Sequence, residues 1–158
     1  MAAQRYYYSD SIKKFLSRGT NEIVGKLTLA SQHDVNDETS KSWVEEIETM
    51  REVLAPYEGR GSVYFEYNIH RMGRRVDVIA VIDGIIFVLE YKTAERKFSR
   101  EALVQVWDYA IDLKNFQEGS LERILIPILV VPSEKGSRCQ TDLNPNRSLE
   151  ILPYIMFR

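Results

Sequence analysis

Two acidic residues and one lysine stand in neighbouring apolar segments near the middle of the chain. Asp77 lies in the run Val-Asp-Val-Ile-Ala-Val-Ile, while Glu90 and Lys92 end the run Ile-Ile-Phe-Val-Leu-Glu-Tyr-Lys. Carboxylates suit divalent cations such as Mg²⁺, which favours one or two of them together with waters and phosphate oxygens. A lysine beside such a cation adds positive charge where an oxyanion develops. These residue types therefore indicate metal-assisted chemistry on a phosphate.

The turn between the two segments determines how these side chains meet. Asp83-Gly84 is a strong signal for a two-residue hairpin, because both residues tolerate the positive φ of a type I′ turn. Counting back from that turn places Asp77 directly opposite Glu90. Opposed residues have Cβ atoms about 4.5–5.5 Å apart, so two carboxylates there repel each other unless a cation lies between them. A bound metal would relieve this repulsion and would explain why two carboxylates are placed opposite each other.

The same residues also fit a solvated hairpin end. In that interpretation Asp77 and Glu90 flank Arg75 and Lys92, which the same register places opposite each other. Both segments, however, are apolar on both faces, a pattern typical of a sheet that is covered on both sides. The apolar surroundings favour a buried site over a solvated end.

The wider pattern predicts an α/β fold with an αβββαβ core, in which a mixed sheet is flanked by helices. The last strand of such a core returns parallel through a crossover helix. The predicted elements are helices at 11–17, 21–30 and 41–54, strands at 62–69, 75–82 and 85–92, a helix at 100–116, a strand at 123–131 and an edge segment at 149–157. Thr20 is expected to cap the second helix, and 31–40 is expected to be a polar loop.

A chain of 158 residues with an ordinary share of apolar and charged residues is long enough for one domain. We expect a single domain over 1–158, with a helical N-terminal extension at 1–40, the core at 41–132, and a loop with an edge strand at 133–158. The chain ends directly after an apolar segment, which suggests a piece of a longer protein. Without a membrane-length apolar run or a signal-peptide pattern, a cytoplasmic protein is expected.

Two predicted helices direct further polar side chains toward the hairpin. On the helix before it, Glu46 borders the apolar stripe and is a third carboxylate that could orient a water or a second metal. On the helix after it, Gln105 and Tyr109 share one face and could hold a carboxylate, a water or a phosphate. Glu66, on the preceding strand, is another acidic candidate with no derivable register. The alternative is that each of these residues simply lies at the boundary between the core and the solvent and has no functional role.

The net charge of −2 argues against binding of nucleic acid by bulk attraction. The charge is nevertheless distributed unevenly along the chain. Basic residues gather at the hairpin end that carries the acidic pair. A phosphate backbone would meet local positive charge there. The residues expected to contact phosphates are Arg71, Arg74, Arg75 and Lys97.

Other kinds of site are not supported by the sequence. Cys139 is the only cysteine, which excludes an internal disulfide and a zinc site built on cysteines. Gly25-Lys26 lacks the residues that a P-loop requires around it. His33 and His70 have neither zinc-ligand spacing nor a nucleophile motif nearby. Surface positions are expected for both histidines.

The order Asp77, hairpin, Glu90-Tyr-Lys92 and Gln105-Val-Trp-Asp-Tyr109 resembles the PD-(D/E)xK nuclease superfamily, including its RecB-like Gln-x-x-x-Tyr motif. Val76 replaces the proline of that motif. The chain also resembles the amino-terminal nuclease-like module of bacterial proteins that carry a Schlafen-like helicase domain. The segments that carry this second resemblance are Arg5-Tyr-Tyr-Tyr-Ser, Phe65-Glu-Tyr, Arg71-Met-Gly-Arg-Arg-Val-Asp77 and Gln105-Val-Trp-Asp-Tyr-Ala110.

The resemblance implies a restriction-endonuclease-like fold and a phosphodiesterase that depends on Mg²⁺ or Mn²⁺. The implied metal ligands are Asp77, Glu90 and the main-chain carbonyl of Tyr91, with Lys92 as the catalytic lysine, Glu46 as the helical glutamate, and Gln105 and Tyr109 as accessory residues. The implied partner is nucleic acid, DNA before RNA, with a helicase domain in the same or a neighbouring chain and a homo-oligomer left open. The alternative is a catalytically inactive module that binds nucleic acid or docks beside a helicase.

Overall fold

A six-stranded mixed sheet forms the centre of the fold. The computed structural model describes residues 5–31, 35–69, 73–92, 99–116, 122–131 and 154–157, the last range as backbone alone. The strands are β1 (Tyr8–Ser11), β2 (Gly61–Ile69), β3 (Arg74–Ile82), β4 (Ile85–Tyr91), β5 (Leu125–Val131) and β6 (Tyr154–Phe157). The helices are α1 (Ile12–Ser17), α2 (Thr20–Ala30), α3 (Asp37–Leu54) and α4 (Arg100–Phe116), with a 3₁₀ turn at Ala55–Tyr57.

The predicted αβββαβ order is confirmed by the elements from α3 to β5. Strands β1 to β4 pair antiparallel in sequence order, with α1, α2 and α3 between β1 and β2, while β2, β3 and β4 are consecutive elements. Helix α4 then crosses over and returns the chain as β5, parallel to β4, and β6 is parallel to β5. The hairpin between β3 and β4 thus lies inside the sheet, with β2 on one side and β5 on the other.

The expected hairpin register is confirmed from the turn to the middle of the strands. Ile82 faces Ile85, and the pairing continues to Val78 and Leu89. Asp83 and Gly84 have φ values of 50° and 84°, the positive values that the type I′ turn needs. Every position in the turn therefore has the conformation expected for its residue type.

Two apolar layers cover the sheet. One cluster of buried side chains lies between the sheet and α1, α2 and α3, and a second lies between the sheet and α4. All seven residues of β5 are buried, as expected for a strand covered on both faces. Within the described ranges, no helix has both the length and the apolar character needed to cross a membrane.

The amino-terminal region differs from the prediction in three ways. Helix α3 begins inside the expected loop, because the Asn36 side chain accepts from Thr39 N at 2.8 Å and caps it. Thr20 is the first helical residue of α2, and Gly19 is its N-cap. The expected helical extension also contains β1, whose four residues pair with β2. A strand that short leaves too little alternation to be recognised in the sequence.

The close pairing of β2 and β3 yields a prediction for Gly61. A Cβ at this position would lie 1.8 Å from the main-chain oxygen of Val81, a contact that only backbone movement can relieve. We expect Gly61→Ala to lower the free energy of unfolding by about 2 kcal/mol or more, measured by urea denaturation. Gly25→Ala is the matched control, since it adds the same methyl group in α2 with nothing within 4 Å. The control should gain about 0.5–1 kcal/mol. Equal stability of the two variants would contradict this close approach.

Candidate active site

The β3–β4 hairpin opens where the acidic residues stand. The last recorded pair is Val78 with Leu89. Beyond it, the Tyr91 N–H donates to Asp77 Oδ2 at 2.7 Å, so a side chain accepts where the sheet would next use a main-chain carbonyl. This bond holds Asp77 against the end of β4, where Glu90 also lies. The expected direct opposition of Asp77 and Glu90 is not among the regular pairs of the hairpin, which end one residue earlier, and Asp77 lies instead against the main-chain N–H of Tyr91.

Side-chain alternation also changes at this level of the sheet. Phe65 packs in the cluster beneath α1 to α3, whereas Tyr67, two residues later on β2, packs against the α4 cluster. Glu66 between them has φ 55°, in the left-handed region that few non-glycine residues adopt. The recorded pairs on either side place Glu66 opposite Asp77. Backbone strain of this kind concentrates at functional sites, which adds Glu66 to the candidate site.

The acidic residues are held by donors on α3. Ser42 Oγ donates to Glu46 Oε1 at 2.8 Å, and Trp43 Nε1 donates to Glu66 Oε1 at 2.8 Å. Glu46 and Glu90 are each only 4% exposed. Their remaining oxygens, Oε2 in both, are buried without a hydrogen-bond partner among the described residues. The predicted inward position of Glu46 is observed. Helical spacing could also have identified Ser42, which precedes Glu46 by one turn.

Burial and mutual repulsion raise the pKa values of these carboxyl groups. Burial, followed by the charges of Glu90 and Glu46, holds the pKa of Asp77 well above its usual range, although the Tyr91 N–H opposes this. Burial and the charge of Glu66 raise the pKa of Glu46 to about 8, against the opposing bond from Ser42. Burial also raises the pKa of Glu90. The group therefore favours any bound positive charge.

A hydrogen-bonded chain joins β4 to α4. Lys92 Nζ donates to Glu90 Oε1 and to Gln105 Oε1, both at 3.0 Å. Gln105 Nε2 donates to Glu90 Oε1 at 2.8 Å and to Tyr109 OH at 2.7 Å. The predicted face of α4 thus brings Gln105 and Tyr109 together and directs them at Glu90. One oxygen of Glu90 accepts both donors, and the other is left for a further ligand.

The donor set fits a hard divalent cation. Asp77, Glu90 and the Tyr91 carbonyl supply two carboxylates and one neutral oxygen, a combination that Mg²⁺ accepts when waters complete its coordination. The buried Glu90 Oε2 has no hydrogen-bond partner in the geometry of the described residues and is a position that such a cation could occupy. Within the described ranges, no group of three or more His, Cys, Asp or Glu side chains is arranged to hold a metal. Any cation here would thus rely on the main-chain carbonyl and on waters.

A groove of about 590 Å³ adjoins this site along α4. Gln105 and Tyr109 line it from the side of the acidic group, and Arg74 and Arg100 contribute basic side chains. Arg74 is half exposed and lies 3.6 Å from a carboxylate oxygen of Asp108. Two further residues expected to contact phosphates, Arg71 and Lys97, lie outside the described residues.

Arg75 has a different neighbourhood from the one expected. Its Nε lies 3.5 Å from Glu66 Oε2, and its guanidinium lies 4.9 Å from the ring centre of Tyr7. The expected opposition of Arg75 and Lys92 is wrong, since the strands have already separated at this level. The Lys92 N–H instead donates to the Val130 carbonyl of β5 at 3.0 Å. Arg75 thus balances the charge of the strained glutamate.

Comparisons with known proteins leave the family open. No protein-family model matches the chain, and no curated protein matches it. A crystal structure of protein VC1899 from Vibrio cholerae is similar with a TM-score of 0.37 and 16% sequence identity. The similarity covers 78% of this chain and 36% of that chain, so the chain spans about a third of the length of its structural neighbour. The function must therefore be inferred from the residues of this chain.

The raised pKa of Glu46 predicts how stability depends on pH without metal. Its folded value of about 8 exceeds the ordinary glutamate value of 4.5. Between these values the folded protein keeps a proton that the unfolded chain has released, so rising pH favours unfolding. We expect the free energy of unfolding, measured with urea in EDTA, to fall from about pH 5 to pH 8. Glu46→Gln should flatten this decline.

Glu45→Gln provides the matched control, because Glu45 is the exposed neighbour of Glu46 on α3. This control should keep most of the slope of the unmodified protein, because the charge of Glu45 contributes less to the raised pKa of Glu46 than burial and the charges of Glu66 and Glu90 do. If Glu46→Gln leaves the slope unchanged, Glu46 does not hold a proton in the folded protein at neutral pH.

Proposed function

We propose that the protein is a metal-dependent nuclease that hydrolyses phosphodiester bonds of DNA or RNA. The observation that carries this proposal is that the two carboxylate oxygens of Glu90 have different surroundings. One of its oxygens accepts from Lys92 and Gln105, while the other is buried and has no hydrogen-bond partner in the described chain. A carboxylate held in this way beside Asp77 and a lysine suits a cation and a phosphate better than it suits a purely structural role.

The side chains have distinct roles in this proposal. Asp77, Glu90 and the Tyr91 carbonyl would hold Mg²⁺ or Mn²⁺, which would lower the pKa of a bound water and neutralise charge on the phosphate. Lys92 would orient the attacking water and stabilise the oxyanion, as a point charge on a flexible stem can do. Gln105 would position Lys92, since its amide oxygen accepts from Nζ at 3.0 Å.

The surrounding groups would keep these residues in place. Tyr109 accepts from the Gln105 amide and so fixes its orientation. Glu46 lies on the α3 side of the acidic group and would orient a water near Asp77. Groups that are already held by hydrogen bonds need little rearrangement when charge develops in the transition state, and such preorganisation is a large part of catalysis.

The preference for DNA and the association with a helicase domain remain part of the proposal and rest on the sequence resemblance. The competing function is a module of the same architecture that binds nucleic acid without cleaving it. The hydrogen bonds from Lys92 and Gln105 to a single Glu90 oxygen favour the enzyme, because binding alone would not require them.

Cleavage assays test the proposal directly. We expect the purified protein to cleave DNA or RNA with Mg²⁺ or Mn²⁺ and to stop when EDTA is added. Asp77→Ala and Lys92→Ala should each reduce the rate by 10²-fold or more, about the loss expected for a removed charge-stabilising group. Lys26→Ala is the control, since Lys26 lies on α2 and pairs with Glu22, which is not a residue of the candidate site. Binding without turnover on any substrate would favour the non-catalytic module.

Thermal melting tests the cation site independently of turnover. Mn²⁺ binds the folded protein and should raise its melting temperature by mass action. Asp77→Asn should remove most of this increase and should stabilise the metal-free protein, because it deletes one of the repelling carboxylates. Glu45→Gln should keep the full increase. An unchanged melting temperature at millimolar Mn²⁺ would exclude the proposed ligands.

A further inference from the structure

Three tyrosines form a row on the α4 side of the sheet, here called the tyrosine row: Tyr6, Tyr64 and Tyr67. Tyr64 and Tyr67 lie on β2 and pack against the α4 cluster. Tyr6 precedes β1, where the Tyr7 N–H already donates to the Phe65 carbonyl at 3.1 Å. The ring centres of Tyr6 and Tyr64 lie 5.4 Å apart, and those of Tyr64 and Tyr67 lie 6.2 Å apart, both edge to face. All three rings are half-buried and keep part of their surface open.

The tyrosine row ends beside the candidate active site. Tyr67 pairs with Val76, the residue before Asp77. Two residues further along β2, Ile69 pairs with Arg74, which also lines the groove along α4. Helix α4 packs mainly on β5 and β4, so this part of β2 lies at the margin of the helical layer. An extended ligand that leaves the groove at Arg74 would meet Tyr67 two residues along the sheet, beside the strand position of Asp77.

Part of the positive charge near the site is already paired with carboxylates among the described residues. Arg74 lies near Asp108, and Arg75 lies near Glu66. The chain as a whole has a net charge of −2. Phosphate contacts provide most of the non-specific affinity when cations are free and numerous, whereas Arg74 and Arg75, two of the described basic residues beside the site, each have an acidic neighbour. A nucleic acid would need a second source of affinity near the site.

We propose that the substrate is single-stranded nucleic acid, whose unpaired bases stack on the tyrosine row while its backbone follows the groove past Arg74. This proposal rests on the proposed function, because it places a substrate at the same site. Stacking of a base on an aromatic side chain is sequence-tolerant, since every base has a π-face. The row provides such surfaces in line with Asp77.

A duplex cannot use these rings in the same way. Its bases are paired and stacked on each other, so a tyrosine meets a base face only after the base is extruded, which costs free energy. A protein partner is also a poor fit for the row. Three partly exposed tyrosine rings offer roughly 200–300 Å². That is well below the roughly 800 Å² per partner of a stable interface.

Binding in EDTA separates recognition from cleavage. We would measure fluorescence anisotropy of the full chain with a labelled strand of about 15 nucleotides, as DNA, as RNA and as the matching duplexes. The single strands should bind more tightly than the duplexes. The comparison of the DNA strand with the RNA strand shows which of the two nucleic acids the protein prefers. Tyr64→Leu and Tyr67→Leu should each weaken single-strand binding by roughly 5- to 150-fold and leave duplex binding unchanged. Tyr64→Phe and Tyr67→Phe should keep most of the affinity.

Tyr57→Leu is the matched control, because Tyr57 is equally half-buried but packs on the opposite cluster. If the leucine variants do not fold, ultraviolet crosslinking of a bromouracil strand to the unmodified protein should label the tyrosine row. Adducts elsewhere, equal binding of strand and duplex, or full binding by the leucine variants would overturn the proposal. The proposal would also be overturned if sedimentation showed a dimer that these variants dissociate while they keep their affinity for the single strand.

These outcomes are distinct from those of the cleavage assays. Strand-selective binding through the row without turnover would overturn the nuclease and keep the binding surface. Turnover without strand selectivity would do the reverse.

Discussion

The structure depends on the burial of like charges at one level of a sheet. Glu46 and Glu90 are buried and Asp77 is partly buried, and burial raises the pKa of all three carboxyl groups. The charges of Glu90 and Glu46 raise the pKa of Asp77 further. An apolar core of ordinary sequence would not tolerate this, since an ionised carboxylate without a partner is strongly unfavourable there. The protein accommodates the three groups with donors from a main-chain amide, a serine, a lysine and a glutamine.

Helices on both faces of the sheet hold these groups in place. Helix α3 supplies Glu46 together with Trp43, which donates to Glu66 at 2.8 Å. Helix α4, on the other face, supplies Gln105, which reaches Glu90 at 2.8 Å. The change of side-chain alternation at Glu66 lets one level of the sheet present groups to both layers. The apolar clusters on either side therefore help to fix the relative positions of the polar groups that the two helical layers contribute.

Local rules in the sequence were sufficient for much of this arrangement. Asp83-Gly84 determined the register of the hairpin, because only one pairing is compatible with a two-residue turn. Helical periodicity placed Glu46 and Gln105 on inward faces. What could not be predicted depends on contacts between distant segments. Glu66 has a positive φ that no local propensity favours, and its side chain accepts from Trp43, 23 residues away in the chain.

Other differences have similar causes. Arg75 was expected opposite Lys92, but the Asp77 side chain bonds Tyr91 and separates the strands before that level. The start of α3 depended on a single cap at Asn36 inside a polar stretch, where capping residues are frequent and ambiguous. Strand β1 exists because β2 has a free edge, a property of the assembled sheet. Sequence patterns predict single helices and strands well. They predict poorly the positions where contacts between distant elements decide the conformation.

Strand β1 itself has a consequence for how the molecule opens. It is four residues long, lies at the edge of the sheet and pairs on one side only with β2. Short edge elements detach at lower free energy than the interior of a sheet, often without global unfolding. Every acidic group of the site lies on α3, β2, β3 or β4, so detachment of β1 would carry away Tyr6 and leave those groups in place. The two parts of the surface therefore have different local stabilities, and amide hydrogen exchange would report them as separate units.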